Sequence, residues 1–227
     1  MAKKKQEFAK QDEQLQEVNE ALTGAGKWIE DNSNLISWIV CGIAIVIMGV
    51  IALNRYVLQP RALDASNENA KAVVYFMAED WDKALNGDDA ECIGFEEIAR
   101  KYKFYQQGKL AALYAGICYF EKGEFEDAAK YLKKFSADDL NIDPAACQLL
   151  GDAYVELQEY GKAVKAFESA AKSGNDIIAP MSLKKAGIVY LHEGQNAKAK
   201  KAFETIKADY PASIEAQDID KYIASAE

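Results

Sequence analysis

The sequence predicts an all-α protein, a solenoid of helical hairpins behind a single transmembrane helix. Three observations carry this. The stretch from Leu35 to Leu53 contains no charged residue. A glycine, a tyrosine and an alanine return together with a period near 35 residues over the last half of the chain. Helix-period apolar patterning fills the space between these marks, and alternating strand patterning does not.

The uncharged window runs from Asn32 to Asn54 before Arg55 closes it. Its central 19 residues would make a helix about 29 Å long, close to the ~30 Å hydrocarbon layer of a bilayer. Leu35, Ile36, Ile39, Val40, Ile43, Ile45, Val46, Ile47, Val50, Ile51 and Leu53 leave no polar stripe for a soluble core helix to turn outward. A cleaved secretory signal is disfavoured. Lys3, Lys4 and Lys5 lie far upstream of the apolar run, and Asn54, Arg55 and Tyr56 follow it instead of a small-residue cleavage site. Trp28, Trp38 and Tyr56 suit the two water interfaces. The expected division is a tail over 1–34, a transmembrane helix over 35–58 with its exit marked by Pro60, and a helical-repeat domain over 63–227.

The chain carries a net charge of −9, and residues 62–227 hold 20 Lys or Arg against 29 Asp or Glu. Phosphate binding asks for a basic face, so nucleic acid is excluded as the expected partner. On the same grounds the repeat domain is not expected to hug an anionic lipid surface. Cys41, Cys92, Cys118 and Cys147 have neither metal spacing nor a CxxC pair, and apolar neighbours make buried thiols the expectation for the last three. In the tail, Phe8, Leu15, Val18 and Leu22 fall on one helical stripe that Gly24-Ala25-Gly26 ends. A short amphipathic helix and a solvated tail both stay open.

Beyond the span, Leu63 to Leu85 reads as one helix with Val73, Val74, Phe76, Met77, Trp81 and Leu85 on its apolar side. Asn86-Gly87-Asp88-Asp89 stops it, and Phe95 and Ile98 sit on the next. Then the repeat sets in. Ala115-Gly116 with Tyr119, Ala128 and Leu132 returns as Leu150-Gly151 with Tyr154, Ala163, Phe167 and Ala170. It returns again as Ala186-Gly187 with Tyr190, Ala199, Phe203, Ile206 and Pro211. The glycines step by 35 and 36 residues. Gly116, Gly151 and Gly187 let the two helices of a pair approach, small alanines face them, and Leu132, Phe167 and Phe203 fill the gap between successive pairs. Gly123, Gln158 and Gly194 fall at the turns. Asp143-Pro144 reads as an N-cap followed by Pro at the first helical position, and Ala179-Pro180 marks the same point one repeat later.

These residues resemble the tetratricopeptide repeat, with its L-G-x-x-Y, A-x-x-x-F and terminal-Pro signature over about 34 residues. Leu63 to Tyr105 would be a degenerate first repeat, lacking L-G-x-x-Y. Ser213 to Ala226, with Ile214, Ile219, Tyr222 and Ile223, would be a final helix covering the end of the stack.

The resemblance implies a groove lined by the first helix of each pair that takes proteins or peptides. By register it offers Leu110, Leu113, Ile117 and Phe120 in the first clear repeat. The second offers Ala145, Gln148, Asp152, Val155 and Glu156, and the third Met181, Lys184, Ile188, Leu191 and His192. Relatives that capture the acidic tail of heat-shock chaperones share a clamp of Lys, Asn and Arg. Here those places hold Leu113, Ile117, Asp152 and Met181, with Lys185 alone of the right type, so capture of a terminal carboxylate is not expected. Two occupants stay open: an apolar or amphipathic partner segment, and the chain's own last helix.

No enzymatic activity, metal or cofactor is expected. His192 is the sole histidine, and Asp88-Asp89 and Asp138-Asp139 read as turn and capping residues. The whole layout resembles the YfgM-type ancillary subunits of the bacterial Sec translocon and single-pass tetratricopeptide proteins of Bacteroidetes. The carrying stretches are Ala84-Leu85-Asn86-Gly87-Asp88, Tyr114-Ala115-Gly116-Ile117-Cys118-Tyr119 and Ile219-Asp220-Lys221-Tyr222-Ile223. That resemblance implies an inner-membrane protein with its repeats in the periplasm, beside the translocon and a membrane-anchored chaperone. A membrane-tethered adaptor for another envelope or division assembly is the alternative. Local charge does not settle orientation, since Lys27 stands on one side of the span and Arg55 and Arg61 on the other.

Overall fold

The computed structural model describes residues 28, 31–88, 91–137 and 139–227. The tail stripe of Phe8, Leu15, Val18 and Leu22 lies outside the described residues, as do Asp89 and Asp138. The chain divides into two compact units, Met1–Gln59 and Pro60–Glu227.

In the first unit, α1 (Ser33–Leu53) is the apolar helix, and a π-helical turn (Asn54–Leu58) follows it. Its 21 residues would span about 31 Å. Every large apolar side chain described along it is exposed. The helical backbone does not stop at Pro60 as expected, because α2 runs from Gln59 to Met77. The turn before the proline supplies the physical reason. Gln59 N–H donates to Asn54 five residues back, a wider winding that accommodates the proline's missing donor and its ring.

In the second unit, α2 packs with α3 (Trp81–Asn86) and α4 (Gly94–Lys101), the two halves of one split helix, and α5 (Gln106–Glu121) with α6 (Phe125–Leu132), α7 (Ile142–Glu156) with α8 (Tyr160–Ala171), and α9 (Ile178–His192) with α10 (Asn196–Asp209) follow as consecutive antiparallel hairpins. A 3-10 turn (Glu215–Asp218) and α11 (Ile219–Ser225) close the chain. No strand occurs among the described residues, only an isolated bridge between Asp88 and Cys92.

The repeat glycines act as their spacing predicts. A Cβ on Gly151 would lie 2.5 Å from the Phe167 ring, and one on Gly187 would lie 2.3 Å from that of Phe203. Gly116 faces Leu132 in the same way. These large side chains therefore pack within their own hairpin, against its glycine, rather than only between hairpins. Phe167 and Phe203 are fully buried, as are Ala128, Ala163 and Ala199 on the facing helices.

The first hairpin is where sequence and structure part. The expected single helix from Leu63 to Leu85 breaks at Ala78–Asp80, where Glu79 takes a positive φ of 57° and the Asp80 side chain accepts from Lys83 N–H. That capping aspartate starts a new helix one residue on. Glu79 occupies the turn position that Gly123, Gln158 and Gly194 hold in the later hairpins, all with positive φ. The Tyr75 carbonyl accepts from Asp80 N–H just as those of Tyr119, Tyr154 and Tyr190 accept from Glu124, Glu159 and Gln195. Tyr75 is thus the repeat tyrosine of a complete first hairpin. Three residues before it Ala72, fully buried, stands where the others have glycine.

The second helix of this hairpin is split by an insertion. Ala84 and Phe95, both fully buried, stand 11 residues apart where later hairpins keep a spacing of four. The difference is a seven-residue insert between α3 and α4. Its ends need glycine: Gly87 and Gly94 have φ of 85° and 68°, and a Cβ on Gly87 would sit 2.0 Å from the Cys92 carbonyl oxygen. The Asp88 carboxylate accepts from the N–H groups of Glu91 and Cys92 and from the Tyr75 hydroxyl.

Helix starts also differ from the sequence reading. Asp143 is not the N-cap of α7, which begins one residue earlier at Ile142. The Asp139 carboxylate accepts from the N–H groups of Asn141 and Ile142, and Asn175 does the same for Ile177 and Ile178 at α9. Pro144 and Pro180 are each the third helical residue, still within the first turn, where no N–H is required. The final segment is a 3-10 turn and a short helix rather than one helix from Ser213, and Ile214 is exposed. Ile219 and Ala226 are buried against the last hairpin. All four cysteines are free thiols, with Cys92 and Cys118 buried and Cys147 half-buried. Burial pushes the Cys118 thiol up to about 12.

Candidate functional site

The first helices of the three clear hairpins, α5, α7 and α9, carry the residues that the sequence assigns to a groove, and their side chains fall into three groups. Leu110, Leu113 and Ile117 of α5 pack with Leu132, Phe135, Ala146, Leu149 and Leu150 in an apolar cluster between the first clear hairpin and α7. Leu113 is buried there. Their expected place on an open surface is taken by α7, which lies directly over them. Phe120 is half-buried with its ring 5.4 Å from that of Phe125, and Val155 and Leu191 lean on the central core.

The second group is polar and joins neighbouring first helices. Gln148 of α7 donates from Nε2 to the Met181 sulfur at 3.1 Å and accepts at Oε1 from the Ser182 hydroxyl at 3.0 Å. Ser182 is fully buried, so this bond satisfies a hydroxyl that water cannot reach. Lys185 donates to both carboxylate oxygens of Asp152, at 2.6 and 2.8 Å. Lys184 pairs with Asp218 at 2.6 Å and stands over the Tyr222 ring, 4.7 Å from its centroid. Both groove lysines are therefore neutralised by the chain's own carboxylates.

The third group remains open to solvent. Ile188 is 44% exposed, and Ala145, Glu156 and His192 are exposed as well. His192 lies beside Tyr160, ring centroids 4.5 Å apart. The chain's last helix reaches this surface at one end alone, where Tyr222 lies beneath Lys184. It packs on α10, with Tyr222 5.4 Å from Phe203 and ion pairs from Lys207 to Asp220 and Lys200 to Glu227. Among the described residues it makes no packing contact with α5 or α7, so the chain's own C-terminal segment covers the α9 end of the predicted groove and not the rest.

Two features had no sequence signal in isolation. Two of the repeat tyrosines latch one hairpin to the one before it: Tyr119 donates to Glu96, and Tyr190 donates to Glu168 at 2.7 Å. Burial and the Glu168 carboxylate together push the Tyr190 hydroxyl up to about 12, so it stays a donor throughout the physiological range. The sequence marks the tyrosines but not their partners, which lie 22 and 23 residues upstream. The second feature is a cavity of about 880 Å³ between the first two hairpins, lined among others by Leu85, Ala112, Tyr131, Lys103, Lys109 and Lys134. Among the described residues no group of three or more His, Cys, Asp or Glu is placed to hold a metal ion.

A tetratricopeptide-repeat solenoid is the class that this fold defines, and repeats of that kind serve as protein-interaction scaffolds. Two models of the tetratricopeptide repeat family match the chain, one at residues 144–173 and the other at 110–138 and 183–213. Among solved structures the chain is similar to two crystal structures of MamA. One has a TM-score of 0.53 at 21% identity, covering 71% of this chain and 89% of that one. The other has 0.50 at 22% identity, covering 68% and 91%. At such identity the likeness is one of fold. No curated protein sequence compared with the chain matches it.

Proposed function

We propose that the protein is a single-pass, membrane-anchored repeat scaffold whose groove holds an apolar or amphipathic segment of another protein. The observation that carries the groove reading is its charge balance. Lys184 and Lys185 are already paired while Ile188 and Ala145 stay open, so the surface favours apolar contact over capture of a carboxylate. The anchor reading rests on α1, which is long enough to cross a bilayer and exposes its apolar side chains. Water is a poor solvent for such a helix and hydrocarbon a good one. Placement of the repeats in the periplasm, beside the Sec translocon and a membrane-anchored chaperone, rests on the layout of tail, span and acidic repeat domain.

A photo-crosslinking residue at Ile188, in native membranes, tests the groove against the same residue at Lys201, exposed on the second helix of that hairpin. The expected result is a discrete protein adduct from position 188 that is absent from position 201. A translocon component or a periplasmic chaperone in the adduct keeps the whole reading. A different envelope protein keeps the scaffold and removes the translocon. Equal labelling from both positions removes the groove.

A further inference from the structure

The loops that join one hairpin to the next each present a large apolar side chain to solvent. Phe104, Leu140, Ile177 and Ile214 are 86%, 77%, 72% and 78% exposed. They step by 36, 37 and 37 residues, within two of the 35 and 36 that separate the repeat glycines. Because hairpins alternate in direction, all four loops lie on one edge of the stack, and a hydrogen bond from Asn175 to Asn141 at 2.8 Å ties two of them together. On the opposite edge the first turn carries the exposed Met77, and the three repeat turns that follow are polar. Those turns, at Gly123, Gln158 and Gly194, carry no exposed large apolar residue among those described. Loop geometry does not require the apolar ladder, since Asp139 and Asn175 cap the following helices while Leu140 and Ile177 stand free of the core.

One end of this edge is basic although the domain is acidic. Lys101, Lys103, Lys109, Lys133 and Lys134 make no ion pair among the described residues. Three of them rim the 880 Å³ cavity beside Phe104. The acids lining that cavity are already engaged, Glu97 by Arg100 through two hydrogen bonds and Glu96 by the Tyr119 hydroxyl. The chain also enters the domain on this edge, since Pro60 lies at the start of the first helix of the first hairpin.

From the apolar ladder and the unpaired lysines beside it, we infer that this edge of the solenoid rests on a bilayer surface that carries anionic headgroups. The inference depends on the anchored reading above. A bilayer matches both halves of the pattern, offering an apolar layer to the ladder and phosphate charge to the lysines. A tether at the same edge removes most of the entropic cost of that contact.

Hydrogen exchange on the full chain tests it, in nanodiscs of equal parts phosphatidylcholine and phosphatidylglycerol and in detergent. The amides of 102–106, 139–142, 174–178 and 212–216 are expected to exchange about fivefold or more slowly in the discs. Those of 122–124, 157–159 and 193–195 are expected not to change. The variant Phe104→Asp, Leu140→Asp, Ile177→Asp alters exposed side chains alone and should keep the wild-type melting curve while losing the slowed exchange. Equal exchange in discs and detergent overturns the inference and leaves the anchor standing. Slowing that grows with protein concentration in detergent also overturns it, by assigning the edge to a second copy of the chain. A chain that does not enter the discs removes the anchor and the inference together.

Discussion

Phe203→Ala is expected to lower the unfolding free energy of the repeat domain by about 3–5 kcal/mol, the range for deleting a fully buried aromatic side chain. The ring is inaccessible to solvent, fills the space above Gly187, and holds Tyr222 of the last helix at 5.4 Å. Its loss opens a void that a glycine beneath cannot fill. In a solenoid each hairpin is stabilised by its neighbours, so the last hairpin and α11 should melt first. The equivalent pair in the first clear hairpin, Gly116 with Leu132, indicates a milder change. Phe203→Leu should cost clearly less than Phe203→Ala. Gly187→Ala alone should be unfavourable, because the clash at 2.3 Å outweighs the roughly 1 kcal/mol gained in helix propensity. Combined with Phe203→Leu it should cost less than the sum of the two. Urea titrations followed by circular dichroism measure all four, and strict additivity would show that glycine and ring do not share one space.

The second large effect is expected from Ile43→Lys with Ile47→Lys, which places two charges one turn apart near the middle of α1. On an insertion scale each Leu, Ile or Val at a helix centre contributes about 0.3–0.6 kcal/mol and each lysine opposes by about 2.5–3.5. Eleven such apolar residues lie between Leu35 and Leu53. The wild-type helix therefore inserts with roughly 3–7 kcal/mol in its favour by these values, and the double variant, with nine apolar residues and two charges, is near balance or against insertion. The expected outcome is a shift of most of the protein from the membrane fraction to the soluble or degraded fraction. Ile188→Lys, in the repeat domain, should leave that distribution unchanged.

Most of the solenoid was legible because close helix packing leaves a mark on individual residue types. Gly151 and Gly187 stand where a Cβ would enter an aromatic ring, and residues under that constraint recur at the repeat period. The first hairpin was illegible for the converse reason. Its glycine position tolerates Ala72, and a seven-residue insert displaces Phe95 from the spacing that would have revealed it. Pro60 looked like a helix end because a proline is usually one, and the π-helical turn that admits it has no residue signature.

The helix face assigned to the groove was legible in the sequence, but the depth of its residues was not. Leu110, Leu113 and Ile117 lie on that face, yet α7 packs over them, and only the packing of one hairpin on the next decides which groove residues meet solvent. Net charge is silent on placement in a similar way. A domain with 29 acids and 20 bases carries five unpaired lysines along one edge, and a sum over the sequence cannot report where they gather. The apolar ladder is also invisible to helical periodicity, since its members sit one to a loop and share only the long repeat period.

Extraction of native membranes with alkaline carbonate tests most directly whether this solenoid works from a bilayer. The full chain should stay with the lipid pellet, while a chain beginning at Pro60 should leave with the supernatant and keep a fully helical spectrum. Release of the full chain into the supernatant would contradict the anchored scaffold, whatever its groove then proved to bind.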